Sequence, residues 1–257
     1  MVANKESEDR HVKCPHCGFR SHYRLTDGRR MCRRCRRKFT HRPLRRGLSD
    51  SKLEQIAELF WLEVPAARAA KKVGAHPNTV AKYYHRIRQR ITEERRQEFK
   101  KLEGPVEADE SYFGGVRKGK RGRGAAGKIP VFGLLKRGGE VRVILPKRCD
   151  GEQLLGAILA NVELDSIVYT DGYSAYNKLS LKGFHHERVN HGETFTDGRS
   201  HINGIENFWG YAKRRLKVYH GGFKRNFHLF IREMEFRFNH RNDPDMLPYL
   251  KSILFGP

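Results

Sequence analysis

Acidic side chains are scarce in this chain: 29 Asp and Glu stand against 52 Lys and Arg, a formal net charge of +23. The isoelectric point is about 10.1. That imbalance excludes a neutral or acidic surface and favours strong, sequence-independent attraction to phosphate polymers through counterion release. Charge alone does not choose among DNA, RNA and anionic lipid. Long apolar runs are missing too. No stretch approaches the ~18 apolar residues of a membrane span, and the N-terminus lacks the apolar run of a signal peptide. The expectation is a soluble, cytoplasmic protein with no membrane partner. Cysteine is rare, five in 257 residues, and in a reducing compartment metal ligation is favoured over disulfides. A hydrophobic fraction of 38% is enough for one sizeable core with one or two small modules beside it.

Four of the cysteines form two CxxC pairs, Cys14 with Cys17 and Cys32 with Cys35. Each pair can turn two thiolates toward one ion, and two such knuckles around a short hairpin complete a tetrahedral four-sulfur Zn²⁺ site. A redox dithiol is the alternative. A segment this small does not fold by burial alone, so the ion would stabilise it. Residues 1–45 are therefore expected to form a zinc ribbon. Arg33, Arg34, Arg36 and Arg37 give it a basic load suited to DNA phosphates, or simply a solvated charge run. Cys149 has no partner in sequence and reads as an ordinary small side chain.

Beyond a basic connector at Arg42–Arg46, residues 46–103 turn helical in pattern. Leu53, Ile56, Ala57, Phe60 and Trp61 recur at spacings of three and four. Ala66–Val73 reads as a short Ala-rich helix stopped by Gly74, and Pro77 suits the first turn of a third helix ending near Ile91. Helix, short helix, tight turn and basic helix read as a helix-turn-helix, with Asn78, Thr79, Lys82, Tyr83 and Arg86 offered to a major groove. A plain three-helix packing unit has the same pattern. The charged stretch 92–103 reads as a fraying helix end and linker.

Residues 104–257 alternate strand-like and helix-like runs, the signature of a mixed α/β layer. VEADESYF is a strand carrying Asp109. The runs KIPVFGLLKR and EVRVILPKR flank Gly138 and Gly139 as a hairpin. EQLLGAILANV is helical, SIVYT is a buried strand that delivers Asp171, and a helix from His201 to about Val218 carries Glu206. This is the order of an RNase H-like core, in which the first and fourth strands lie side by side. Asp109, Asp171 and Glu206 would then form a carboxylate pocket for two Mg²⁺ or Mn²⁺ ions, suited to phosphoryl transfer. Lys213 lies two turns past Glu206 and would grip a phosphate. His201 and Asn203 lie about one turn before Glu206 and would orient DNA, or simply begin the helix. Strand alternation turns Glu110 away from the face of Asp109. The basic, Gly-rich run of Arg117, Lys118, Lys120, Arg121 and Arg123 reads as a loop gripping DNA. In the C-terminal helix, from about Phe227 to Asn239, Arg232 and Arg237 could extend the DNA track, with Arg241 just beyond.

The blocks VEADESYFGGVRKGKRGRGAAGKIPVFGLLKRGG, VYTDGYSAYN and HINGIENFWGYAKRRL resemble the insertion-sequence transposases of the ten-sixteen subgroup. Those belong to the bacterial superfamily related to the Merlin elements. The resemblance covers about residues 10–245 and implies a DDE transposase with an RNase H-like catalytic domain and divalent-metal cofactors. Its substrate would be double-stranded DNA, both the terminal inverted repeats of an element and its target. It places the triad on Asp109, Asp171 and Glu206. Pairing two DNA ends calls for a homodimer. The competing readings are a zinc-dependent DNA-binding regulator without catalysis, and an RNase H-like nuclease or resolvase.

Overall fold

A computed structural model describes residues 13–26, 29–39, 48–97, 100–114, 128–171, 176, 182–189 and 202–255. The chain divides into two compact units, Met1–Ser49 and Asp50–Pro257.

In the smaller unit, β1 (His22–Arg24), β2 (Arg30–Cys32) and β3 (Lys38–Phe39) form an antiparallel sheet in that order. Its core is Cys14, Cys32 and Phe39, with Cys17 and Cys35 packed against them. Three strands of two or three residues around one phenylalanine bury too little to stand by the hydrophobic effect alone.

The larger unit opens with α1 (Asp50–Trp61), α2 (Ala66–Val73) and α3 (Pro77–Gln97). The apolar stripe of α1 is buried from Leu53 to Phe60. The second helix ends at Gly74, whose φ of 62° places it in the left-handed region and lets its N–H bond the Ala70 carbonyl. Helix α3 buries Val80, Tyr84, Ile87 and Ile91. It continues to Gln97 instead of fraying near Ile91, since Glu, Arg and Gln are good helix formers and Arg90 pairs with Glu93 at i,i+3.

The sheet is built from β4 (Val106–Phe113), β5 (Ile129–Lys136), β6 (Val141–Ile144), β7 (Ile167–Asp171) and β8 (His185–Val189). Its order is β6-β5-β4-β7-β8, antiparallel through β4, β5 and β6 and parallel through β4, β7 and β8. The apolar alternation of β4 and β5 supplies a core on each face. On one face Val106, Ala108, Phe132, Leu134 and Val168 meet Leu154 and Ile158 of α4 (Gly151–Asn161). On the other, Val131, Leu135 and Tyr169 meet α5 (Asn203–Lys217) and α6 (Phe227–Asn239). A mixed five-stranded sheet with helices on both faces fits the RNase H-like expectation. Helix α7 (Met246–Phe255) packs on α1 and α3, and α3 also packs on α6, so helices α1 to α3 and the sheet share one packed body.

Candidate active site

Parallel pairing of β4 with β7 runs from Val106↔Val168 to Ala108↔Thr170. The next residues along the two strands are Asp109 and Asp171, which is how a pair distant in sequence becomes adjacent. Ligand oxygens of Asp109, Asp171 and Glu110 all lie within 4.8 Å of one another. The presence of Glu110 corrects the reading from alternation. Its side chain does start toward the α4 face, where the Tyr176 hydroxyl donates to Oε1 at 2.8 Å. However, the ladder to β7 has ended at Ala108, so a glutamate can reach the aspartates around the open strand edge. Glu206 lies in the first turn of α5, exposed and outside that oxygen cluster among the described residues.

The Asp109 carboxyl is perturbed by its surroundings. Burial pushes its pKa up from 3.8 to about 6, and the charges of Asp171 and Glu206 add to the rise. The Glu110 backbone N–H and the Trp209 indole work against it, the indole Nε1–H donating to Oδ2 at 3.1 Å. Lys213 lies on the same helix as Trp209. Partial burial holds its ammonium below the usual lysine range against the pull of Asp109, and the Lys128 charge lowers it further.

Three residues that sequence reasoning passed over set this geometry. Glu107 is buried, accepts from the backbone N–H of Ile205 at 2.9 Å, and takes the Arg137 guanidinium at 3.1 Å on its other oxygen. A carboxylate in β4 thus satisfies an otherwise unpaired donor in the first turn of α5 and complements the helix dipole there. Gly204 allows that approach, since a Cβ on it would stand 2.8 Å from Glu107 Oε2. Gly133 pairs across the ladder with Asp109, and a Cβ on it would stand 2.5 Å from Trp209 Cζ2. The bare glycine therefore seats the indole that bonds Asp109. A glycine inside the apolar run VFGLL was the available signal. Gly133→Ala is expected to displace Trp209, cost about 1–3 kcal/mol by overpacking, and blue- or red-shift the indole emission. An unchanged emission maximum and melting temperature would remove Gly133 from the seat.

The remaining expected site residues fall in four groups. Asn203 is the first, exposed residue of α5. His201 and the loop residues Arg117, Lys118, Lys120, Arg121 and Arg123 lie outside the described residues. On α3, Asn78 and Lys82 are exposed, and Thr79, Tyr83 and Arg86 are half-buried. Arg237 does not extend a surface track. It is buried and donates to Glu233 and to the carbonyls of Phe60 and Trp61.

In the smaller unit the thiols of Cys14 and Cys35 are 3.6 Å apart and those of Cys17 and Cys32 are 3.5 Å apart. The four sulfurs lie within 4.8 Å of one another. A tetrahedron with Zn–S bonds of about 2.3 Å has edges of about 3.8 Å, so the set fits a zinc ion. Burial works against ionisation of Cys32, but the Cys35 and Arg34 backbone N–H groups hold its thiol down at about 7. Arg33, Arg34, Arg36 and Arg37 are exposed, and Arg33 lies 4.5 Å over the Tyr23 ring. Purified protein is expected to carry about one zinc per chain, lost in Cys32→Ser. Full zinc content in that variant, by elemental analysis, would exclude Cys32 as a ligand.

The chain is similar to several transposase-related proteins. An uncharacterized transposase-like protein of Haemophilus influenzae is 37% identical over 117 residues, which cover 46% of this chain and 95% of that protein. An uncharacterized protein in the transposable element ISH50 of Halobacterium salinarum is 34% identical over 154 residues, 53% of this chain and 52% of that protein. The match thus spans about half of the second relative. The Mos1 strand transfer complex aligns over 84% of this chain and 80% of its own at 12% identity and a TM-score of 0.27, too loose a likeness to carry an argument. The ISXO2-like transposase domain matches residues 101–239, more than half of the chain, and the protein belongs to that transposase family.

Proposed function

We propose that the chain is a DDE transposase of the ten-sixteen subgroup, which binds the terminal inverted repeats of its element and cleaves and joins DNA strands by phosphoryl transfer. One observation carries this reading: carboxyl oxygens from two strands converge within 4.8 Å inside a chain of net charge +23. Repulsion among them raises Asp109 further than burial alone does. A cluster of like charges with hard oxygen donors fits Mg²⁺ or Mn²⁺. When bound, such cations supply charge neutralisation at phosphorus and activation of the attacking hydroxyl.

The side chains have distinct tasks. Asp109 and Asp171 hold the cations, with Glu206 as the third ligand of the family motif and Glu110 the nearer carboxylate in the metal-free chain. Trp209 fixes the Asp109 carboxylate. Lys213 holds the phosphate that enters the site, and Asn203 contacts DNA at the helix start. The ribbon arginines and the α3 residues Asn78, Thr79, Lys82, Tyr83 and Arg86, acting as a helix-turn-helix, hold the element ends. The functional division is residues 1–45, 46–103 and 104–257. A homodimer would bring two sites to two ends in the bacterial cytoplasm.

The test is incubation of the chain with a labelled element end and Mg²⁺. Cleaved and joined products support the proposal. Cleavage without joining makes the chain a nuclease or resolvase, and DNA binding without cleavage makes it a regulator. Glu206→Gln and Glu110→Gln separate the two candidate third ligands, because only the true ligand is required for turnover.

A further inference from the structure

A cavity of about 320 Å³ is lined by Trp61, Glu63, Tyr211, Arg215, Arg237, Phe238 and Arg241. Its lining alternates rings with guanidiniums. Arg237 lies 5.2 Å over Trp61, Arg215 5.7 Å over Tyr211, and Arg241 4.4 Å over Phe238. Arg215 and Arg237 stand by Glu63, Arg237 being held also by Glu233, and Arg241 lines the same cavity, so the lining is rich in guanidiniums and aromatic rings. This is the chemistry that holds an unstacked base and its phosphate.

Glu63 is unusual for its position. It follows the end of α1 with a φ of 58°, in the left-handed region where glycine is the common residue. A glutamate there costs about 1 kcal/mol of backbone strain, which its carboxylate must offset. Oε1 accepts from the Tyr211 hydroxyl at 3.2 Å. Oε2 is shielded from solvent and accepts no directed hydrogen bond among the described residues, although Arg215 Nη1 stands beside it at 2.5 Å. The Arg215 side chain is 52% exposed, free to swing from Glu63 to a phosphate and leave Oε2 as an acceptor facing the cavity.

We propose that this cavity takes an unpaired guanine of the DNA that the chain binds. The base stacks among Trp61, Tyr211 and Phe238, its N1–H and N2–H₂ donate to Glu63, and Arg215 and Arg241 contact the flanking phosphate. A carboxylate accepts but does not donate, so it complements guanine's paired donors and opposes the N1 acceptor of adenine. The volume suits one base, at the small end of ligand pockets, which run to roughly 300–1,000 Å³. This inference rests on the proposal that DNA is the substrate.

The experiment compares three duplexes of one sequence with the full chain, by fluorescence anisotropy: fully paired, with one extra unpaired guanine, and with one extra unpaired adenine. The guanine bulge should bind about tenfold more tightly than the paired duplex, within the range that base stacking on aromatic rings provides, and more tightly than the adenine bulge. Glu63→Gln should erase the guanine-over-adenine preference while a bulge still binds better than paired DNA. Arg241→Ala, at an exposed side chain, should weaken both bulges and spare the paired duplex. Equal affinity for all three duplexes overturns the inference and leaves DNA binding intact. A guanine preference that survives Glu63→Gln places the base elsewhere and also overturns it. No binding to any duplex removes the transposase reading itself.

Discussion

Asp109→Asn should abolish Mg²⁺-dependent strand cleavage and, in the metal-free chain, raise the melting temperature near neutral pH. The two effects have one cause. The Asp109 carboxyl has a pKa of about 6 in the folded chain against an ordinary 3.8, chiefly from burial, with Asp171 and Glu206 adding to it. The folded state therefore holds its proton more tightly than the unfolded state does. Between about pH 4 and pH 6 the folded chain binds the extra proton, so stability falls as pH rises through that window and the full cost is present above it. At 1.36 kcal/mol per pKa unit, less a discount for partial exposure, this is about 1–3 kcal/mol. Asparagine carries no charge and can still accept the Trp209 indole hydrogen bond. For a unit of this size each kcal/mol is worth about 2–4 °C, so a gain of roughly 2–12 °C is expected near pH 8. The gap should close only as the pH falls below the ordinary 3.8, where the wild-type carboxyl becomes protonated in both states. Cleavage should fall by at least about 10²–10³-fold, the loss typical of removing one group that stabilises charge in the transition state. A melting difference independent of pH would sink the assignment of Asp109 as a carboxylate held at a cost for metal binding.

Much of this site was legible because its logic is local. Asp109 and Asp171 follow apolar strand runs, and the strand, hairpin, helix, strand order brings them together once β4 and β7 pair. The apolar stripe of α1 and the turn glycines Gly74 and Gly138 were legible for the same reason. What escaped depends on contacts between distant segments. Strand β8 buries only Val189 fully, so the polar run HHERV carries no period and becomes a strand only by pairing along β7. Alternation assigned Glu110 to the wrong environment because it describes the ladder and says nothing of a side chain past the ladder's last pair. Glu107 reads as one more acid in VEADES until Ile205 arrives 98 positions later to bond it. Arg237 reads as a surface cation from the sequence, and Arg88 carries no signal of its own. Both are buried, since both found one buried carboxylate as partner, Arg88 across helices and Arg237 one turn away on its own helix.

That partner is Glu233, and Glu233→Ala should be the most destabilising single change in the larger unit. The residue is 1% exposed on α6. Arg88 of α3 takes one oxygen at 2.6 Å, and Arg237 takes the other at 2.8 Å. Arg237 also caps the carbonyl end of α1 through Phe60 and Trp61, and Arg88 lies 4.0 Å over the Phe230 ring. One carboxylate thus joins three helices. Removing it leaves two guanidiniums desolvated without a counter-charge, a loss of about 3–5 kcal/mol. Melting should fall by roughly 6–20 °C. Despite the opposing effect of burial, Arg88 and Arg237 hold the Glu233 carboxyl below the ordinary 4.5. Its contribution is therefore fully present above the unfolded carboxyl's pKa and is lost as acid titrates through the lower folded value. The gap between wild type and variant should persist from neutral pH down past about pH 4 and close only in stronger acid. Replacing Arg88, Glu233 and Arg237 together by methionine should recover much of the loss, because a buried ion cluster exchanged whole for apolar side chains leaves no stranded charge. A triple variant as unstable as Glu233→Ala would mean that shape, and not the stranded charge, holds α3 and α1 to α6.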